Sequence, residues 1–156
     1  MSEFRSRNKT RGQALAEFAL VAPILFLMFF GIIEFGRFIL AYTELNNATR
    51  EGARYAIVHG SSSLCPTGPM PGGNPSPLCD DTAGTAVKNV VVRSGVSLHL
   101  STSQVTVTWS KNNVPNQSNA RNNDVTVVAD YAFTTIIPLP LPPIGMTARS
   151  TLVINH

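Results

Sequence analysis

The chain has 156 residues, enough for one small domain with an additional anchor. Charged residues make up only 13% of it, against about 25% in an average soluble domain, which argues against a coiled coil or a charged disordered chain. Residues 1–12 hold four basic side chains and one acidic one, so without them the 12 basic and 9 acidic residues fall to eight of each. Because no net basic charge remains, the composition gives no support for nucleic-acid binding.

Residues 18–33 form an uncharged apolar run, and Glu17 is the single charged residue between positions 14 and 33. About 20 apolar residues of helix cross the hydrocarbon core of a bilayer. A buried soluble helix of this length would normally carry a polar face, which this run lacks. The sequence therefore predicts a single-pass transmembrane helix, with the basic residues 1–12 in the cytoplasm and the rest of the chain exported.

A secretory signal peptide is the alternative explanation for a basic start followed by an apolar run. Such a peptide ends in a cleavage site of the type small-x-small, directly after the run. Residues 34–38 read EFGRF, which is bulky and charged. A retained anchor is therefore the favoured interpretation.

The helix is predicted to continue beyond the membrane. Apolar side chains recur near the helical period at Phe35, Phe38, Tyr42, Leu45 and Ala48. Two pairs of opposite charge at i,i+3 spacing, Glu34 with Arg37 and Glu51 with Arg54, suit a helix surface. A helix over 13–57 would be about 67 Å long, so about half of it would stand outside the bilayer.

Residues 60–80 are predicted to form a loop, because 13 of the 19 residues at 60–78 are Gly, Pro or Ser. Cys65 and Cys79 bracket this loop. In an exported domain a disulfide between them is expected, and closing a loop of about 15 residues contributes roughly 3 kcal/mol. Two free thiols are the alternative, although nothing nearby points to metal ligation or redox chemistry.

The remaining chain predicts one short helix followed by strands. Residues 80–82 (DDT) offer an N-cap for an amphipathic helix over 85–93, which Gly95 closes. Period-two alternation then predicts strands at 105–109, 125–133 and 146–154. The fold class is predicted as α+β: a long N-terminal transmembrane helix extends into a small exported head, where the short helix packs on an antiparallel sheet of three or four strands. The predicted divisions are a cytoplasmic leader at 1–12, the helix at 13–57 and the head at 58–156.

No set of catalytic or ligand-binding residues is found in the sequence. The histidines, at positions 59, 99 and 156, have no neighbour at metal-ligand spacing. Two cysteines are too few for a Cys-only zinc site or an iron–sulfur cluster, and no phosphate-binding glycine loop or nucleophile elbow occurs. We therefore expect no enzymatic activity and no metal, cofactor, nucleic acid or small-molecule substrate.

Glu17 needs an explanation, because a carboxylate beside hydrocarbon is costly. The simpler interpretation places it among the headgroups, solvated and without a function. In the other, a cut after Gly12 makes Gln13 the N-terminal residue, with its free amine about 6 Å, one helical turn, from Glu17. Such a pair, formed within one chain or between neighbours, would set the register of packed helices.

Residues 12–18, GQALAEF, resemble a prepilin processing site: glycine at the cut, glutamate fifth and the aromatic Phe18 sixth in the mature chain. With GIIEFGR at 31–37 and REGARYA at 50–56, they resemble the TadE-like family of the tight-adherence (Flp) pilus system. The resemblance is dense over 11–57 and weaker at 125–133 and 136–154. The further helix residues that it marks are Glu34, Gly36, Arg37, Arg50, Glu51, Gly52 and Arg54.

The resemblance implies a pseudopilin or minor pilin, a structural subunit assembled into a type IV (Flp/Tad) pilus or a related secretion filament. It implies a cut by a prepilin peptidase between Gly12 and Gln13, with Glu17 and Phe18 then serving assembly. The implied partners are the membrane, other pilins or pseudopilins, the assembly platform and the peptidase. The implied location is the bacterial cytoplasmic (inner) membrane, with the head periplasmic or extracellular, and a surface pilus. An uncut membrane-anchored ectodomain that binds or adheres to a surface is the alternative.

Overall fold

The computed structural model describes residues 6–73, 79, 81–112, 114–115, 117–136 and 142–155. Within these residues it contains two α-helices, two 3₁₀ turns and four strands. They are α1 (Ser6–Val58), α2 (Thr85–Ser94), the 3₁₀ turns Val96–Leu98 and Thr102–Gln104, β1 (Val105–Lys111), β2 (Val114–Pro115), β3 (Asp124–Phe133) and β4 (Ile144–Val153). The predicted α+β class with a long N-terminal helix is confirmed.

α1 is a single helix of 53 residues, about 80 Å long at 1.5 Å per residue. It begins at Ser6, earlier than the predicted start at 13, because residues 6–11 contain neither glycine nor proline to stop it. It ends at Val58, within one residue of the predicted end. Residues 6–12 of the basic leader and the apolar run are therefore consecutive parts of one helix.

The second half of α1 packs on the head through a face of mostly small residues. Buried on this face are Ala41, Leu45, Ala48, Thr49, Gly52, Ala53 and Ala56. Of the apolar side chains that recur near the helical period, Leu45 and Ala48 lie on this face, Phe38 is partly buried, and Phe35 and Tyr42 are exposed. Alanine and glycine are the residues that let a helix approach its neighbours closely.

Gly52 lies where α1 and α2 meet. A β-carbon built at this position would overlap the side chain of Val91 and would lie 3.6 Å from both Val87 and Val127. Glycine costs about 1 kcal/mol relative to alanine inside a helix. The close approach of α2 and the sheet explains why the helix carries glycine here.

We expect Gly52→Ala to destabilise the head by about 1 kcal/mol, because overpacking, about 1–3 kcal/mol, outweighs the gain in helix propensity. Trp109 is the single tryptophan of the chain and is buried in the head, so its fluorescence follows urea unfolding in detergent micelles. Gly36→Ala is the matched control, since nothing lies within 4 Å of the β-carbon that it adds. Equal unfolding midpoints for both variants would contradict the packing role of Gly52.

α2 is the predicted short helix, and its Val87 and Val91 are fully buried against α1 and the sheet. Its cap differs from the prediction. The N-cap residue is Gly84, in the left-handed region at φ 66°. As a glycine it has no side-chain oxygen that could accept a hydrogen bond from the first turn. Asp81 supplies the acceptors from outside the helix, taking the backbone N–H of Thr85 at 2.5 Å and that of Ala86 at 3.0 Å. Asp80 lies outside the described residues.

The sheet is antiparallel, with strand order β2-β1-β3-β4. The three predicted strands correspond to β1, β3 and β4, while β2 is a two-residue strand paired with the end of β1. Alternate residues of the three long strands face the helices and form the core, namely Val105, Trp109, Val125, Val127, Ala129, Phe133, Met146 and Ala148. The opposite face is largely polar and carries cross-strand contacts such as the 2.9 Å hydrogen bond between the hydroxyls of Thr126 and Thr151.

The two ends of the head lie at different heights along α1. Phe133, the last residue of β3, packs edge-on against Phe38 with ring centroids 5.5 Å apart. From Phe38 the helix continues to Val58, a rise of about 30 Å. The Cys-bracketed loop begins there and is tied to the helix end, since Thr67 donates its backbone N–H to the carbonyl of His59 at 2.8 Å. One end of the head is thus close to the apolar run, and the loop forms the distal end.

Candidate processing and assembly segment

The predicted processing and assembly segment, residues 12–18, is an uninterrupted and exposed stretch of α1. The peptide bond between Gly12 and Gln13 therefore lies inside a helix. A peptidase must draw this bond out of the helix to reach its carbonyl carbon. Glycine favours that step, because it lowers helix stability by about 1 kcal/mol relative to alanine.

Gln13 and Glu17 lie one turn apart on the same side of the helix. The amide nitrogen Nε2 of Gln13 is 3.5 Å from Oε1 of Glu17, with both side chains exposed. In the uncut chain the backbone nitrogen of Gln13 is an amide, whereas a cut after Gly12 would turn it into an amine. The carboxylate of Glu17 therefore lies beside the side chain of the residue that would carry that amine.

The glycines of α1 fall into two groups. A β-carbon added at Gly12, Gly31 or Gly36 would meet nothing within 4 Å, whereas one added at Gly52 would overlap Val91. Packing within the described part of the chain therefore accounts for Gly52 and for none of the other three.

The part of α1 between the processing segment and the head has the length and composition to cross a membrane. Its apolar side chains from Phe18 to Ile33 are exposed around the whole helix, with Ala22 half-buried. A core helix of a soluble protein would instead be mostly buried. The same helix continues without a break into the head and packs there, so the apolar segment is a candidate anchor continuous with the fold.

The predicted pair Glu34–Arg37 is formed, and it also reaches the head. Nη1 of Arg37 lies 2.6 Å from Oε2 of Glu34. The other carboxylate oxygen of Glu34 accepts the backbone N–H of Ile136 at 2.6 Å, and the guanidinium carbon of Arg37 lies 5.3 Å from the ring centroid of Phe133. The pair therefore joins the first helical turn beyond the apolar run to the end of β3, a contact that its i,i+3 spacing did not predict.

The second group of charged residues marked by the resemblance is exposed. Arg50, Glu51 and Arg54 all lie on the surface of α1, and the predicted Glu51–Arg54 pair is formed at 3.9 Å. An exposed helical pair of this kind contributes roughly 0.3–0.5 kcal/mol. These charges support the helix only weakly and remain accessible to partners outside the chain.

A second link between α1 and the head was not predicted. The carboxylate of Glu44 accepts the backbone N–H of Ser97 at 2.8 Å and also the Ser97 hydroxyl. The two residues are 53 positions apart. No local pattern could have predicted this contact, because Glu44 and Ser97 each look like an ordinary polar surface residue within their own segment.

Cys65 and Cys79 form a disulfide at the distal end of the head, with their Cα atoms 5.2 Å apart. The indole of Trp109 packs against Gly68 in the first part of this loop and against Gly84, the N-cap residue of α2. A β-carbon at Gly68 or at Gly84 would overlap this ring, and both glycines have positive φ angles, 89° and 66°. Only glycine allows the backbone to turn and to approach the ring at these two positions.

Asn119 completes the support of this loop from the other side. It is fully buried, and it donates its backbone N–H to the carbonyl of Pro69 at 2.6 Å and its Nδ2 to the carbonyl of Thr67 at 2.9 Å. The backbone carbonyl of Asn119 accepts the N–H of Ser61 at 3.1 Å. A loop with few apolar side chains is thus held by backbone hydrogen bonds, one indole and one covalent bridge.

We expect replacement of both cysteines, Cys65→Ser with Cys79→Ser, to lower the free energy of unfolding of the head by about 3 kcal/mol, because the unfolded chain regains the entropy of an open loop. Urea unfolding followed by Trp109 fluorescence measures the loss. A reducing agent should have the same effect on the wild-type protein and none on the double variant, which serves as the control. Two reactive thiols in the unfolded, unreduced exported protein would contradict the bridge.

The described histidines have contacts of a structural kind. His59 stacks on Tyr55 with ring centroids 4.0 Å apart, and Nδ1 of His99 lies 3.2 Å from the carbonyl oxygen of Ser97. Across the described part of the chain, no group of three or more His, Cys, Asp or Glu side chains could hold a metal ion. His156 lies outside the described residues.

Comparison with known proteins confirms the resemblance along α1. Residues 12–54 match the model of a protein family described as TadE-like protein. The match includes Gly12, Glu17 and the REGAR motif, and it leaves out the head from residue 55 onward. The match covers 43 of the 156 residues and shows that this segment is similar to a family associated with the Tad pilus. Neither the curated proteins nor the solved structures yielded a match.

Proposed function

We propose that this chain is a pseudopilin or minor pilin of a Tad (Flp-type) pilus or a related secretion filament, and that a prepilin peptidase cuts it between Gly12 and Gln13. The observation that carries the proposal is the family match over residues 12–54, which begins at the proposed cleavage glycine. The structure supports it with one continuous helix, exposed from residue 12 to residue 33 except at the half-buried Ala22 and carrying a head on its second half. Such a helix can pack beside other helices while the head stays outside the bundle.

Processing would change the net charge at the N-terminal end of α1. Residues 1–12 carry four basic side chains and one acidic one, which hold this end of α1 in the cytoplasmic headgroup region. Cutting removes them and leaves one new amine at Gln13 beside the carboxylate of Glu17. Because these two charges cancel, the mature helix end can enter a packed bundle at a lower desolvation cost than the precursor.

The proposal places the leader in the cytoplasm, α1 in the inner membrane and the head in the periplasm or outside the cell. The partners are other pilins or pseudopilins, the assembly platform and the peptidase. The chain acts as a structural component. The disulfide that closes its distal loop is consistent with a head in an oxidising compartment outside the cytoplasm.

N-terminal sequencing and intact mass of the protein from its native host test the proposal. The mature chain should begin at Gln13, and a strain that lacks the peptidase should retain residues 1–12 as the control. A full-length chain in cells that make pili would contradict processing. That outcome would favour an uncut membrane-anchored ectodomain that binds or adheres to a surface.

A further inference from the structure

Three contacts fix the position along α1 of the end of the head that lies near the apolar run. The carboxylate of Glu34 binds the backbone N–H of Ile136 at 2.6 Å. Phe133 packs on Phe38 with ring centroids 5.5 Å apart, and Arg37 lies over the same ring at 5.3 Å. Glu34 is the first residue after the apolar run, so the end of β3 is held at the level where α1 leaves the hydrocarbon.

This end of the head presents an apolar and uncharged surface. Ile136 is 72% exposed, and Ile144, which pairs with Phe133 across the β3–β4 ladder, is 47% exposed. The sequence from Tyr131 to Met146 contains no charged residue. The nearest carboxylate, Glu34, already has the Arg37 guanidinium and a backbone N–H as partners. Burial of this surface in an apolar layer would therefore leave none of these charges uncompensated.

The dimensions of a bilayer place this surface within its interfacial layer. The hydrocarbon core is about 30 Å thick and the whole bilayer about 40–45 Å, so each interfacial layer is roughly 5–8 Å deep. Residues 34–38 rise by about 6 Å along the helix. With residues 14–33 crossing the hydrocarbon, the turn that holds Ile136 lies inside the interfacial layer.

We propose that Ile136 and Ile144 form a lipid-docking surface, which seats the head on the outer surface of the bilayer. The occupant is lipid, because Ile136 is bound to Glu34, the residue that directly follows the apolar run, and Ile33, the last residue of the run, is itself exposed. The head then has a fixed orientation on the membrane before any assembly. The inference requires that α1 spans the membrane, but it requires neither processing nor a pilus.

Site-directed fluorescence of the full-length protein tests this proposal in vesicles of phosphatidylethanolamine and phosphatidylglycerol. The native cysteines are joined in a disulfide, so an environment-sensitive dye reacts only with the thiol of Ile136→Cys. Val96→Cys is the matched control: Val96 is 73% exposed and precedes Ser97, which is bound to Glu44 about 15 Å further along α1. Met28→Cys, within the apolar run, reports whether the helix has inserted.

We expect the dye at position 136 to emit at shorter wavelength than at position 96, to be quenched by lipids with a nitroxide near the headgroup, and to escape quenching by aqueous iodide. The dye at position 96 should show the reverse. Equal iodide quenching at the two positions, with Met28→Cys shielded, would overturn the docking proposal while leaving the membrane anchor intact. Shielding of position 136 that disappears when the protein is diluted in lipid would also overturn it, since a second copy of the chain would then be the occupant.

Discussion

Gly12→Leu is expected to leave only the full-length precursor in membranes. The peptidase must accommodate a small residue at the scissile carbonyl, and leucine both fills that space and stabilises the helix that must open. The chain should still fold, because a β-carbon added at position 12 meets nothing within 4 Å and the helix is exposed there. Intact mass and N-terminal sequencing of the membrane fraction measure the fraction cut.

Gly31→Leu is the matched control for this variant. Position 31 has equally open surroundings, and leucine there remains compatible with a membrane span. We expect Gly31→Leu to be cut at the wild-type rate. If Gly12→Leu were also cut at that rate, the processing site would not be at Gly12.

Glu17→Gln is expected to be cut normally but to fail in assembly. In the single subunit Glu17 is exposed and has a 3.5 Å contact with Gln13, so its loss should barely affect insertion or cleavage. In a packed bundle the new amine at Gln13 would lose its carboxylate partner. Breaking a buried pair costs about 3–5 kcal/mol, which is two to three decades or more in an assembly constant. Co-purification with the pilus machinery, scored beside cleavage, measures the effect.

Two variants control this experiment. Glu17→Asp retains the charge but shortens its reach, so its assembly should fall between those of the wild type and Glu17→Gln. Glu51→Gln removes an exposed carboxylate from the head end of the same helix, whose pair with Arg54 spans 3.9 Å, and it should assemble normally. Normal assembly by Glu17→Gln would mean that the carboxylate only sits at the membrane interface.

Local patterns predicted the elements of the fold because each pattern is complete within one segment. The alternation at 125–133 corresponds to β3, and the amphipathic period at 85–93 corresponds to α2. Helical spacing alone did not identify the buried face of α1, since Phe35 and Tyr42 share that spacing but are exposed. Which side of a long helix meets a sheet depends on where the sheet lies, and small residues such as Ala53 are buried there.

The sequence by itself determined the long apolar helix, its TadE-like motifs and the order of helices and strands, since composition, spacing and periodicity act along the chain. Only the tertiary structure decided the partners of residues far apart in sequence. Glu34 is a helix-surface carboxylate by its spacing, but the folded chain places it against the backbone of Ile136, 102 positions away. Glycine at position 12 and glycine at position 52 are alike in sequence, yet one borders open space and the other touches α2. Such differences arise because packing depends on which surfaces the complete fold brings together. A local sequence pattern does not specify which distant residue will lie against it.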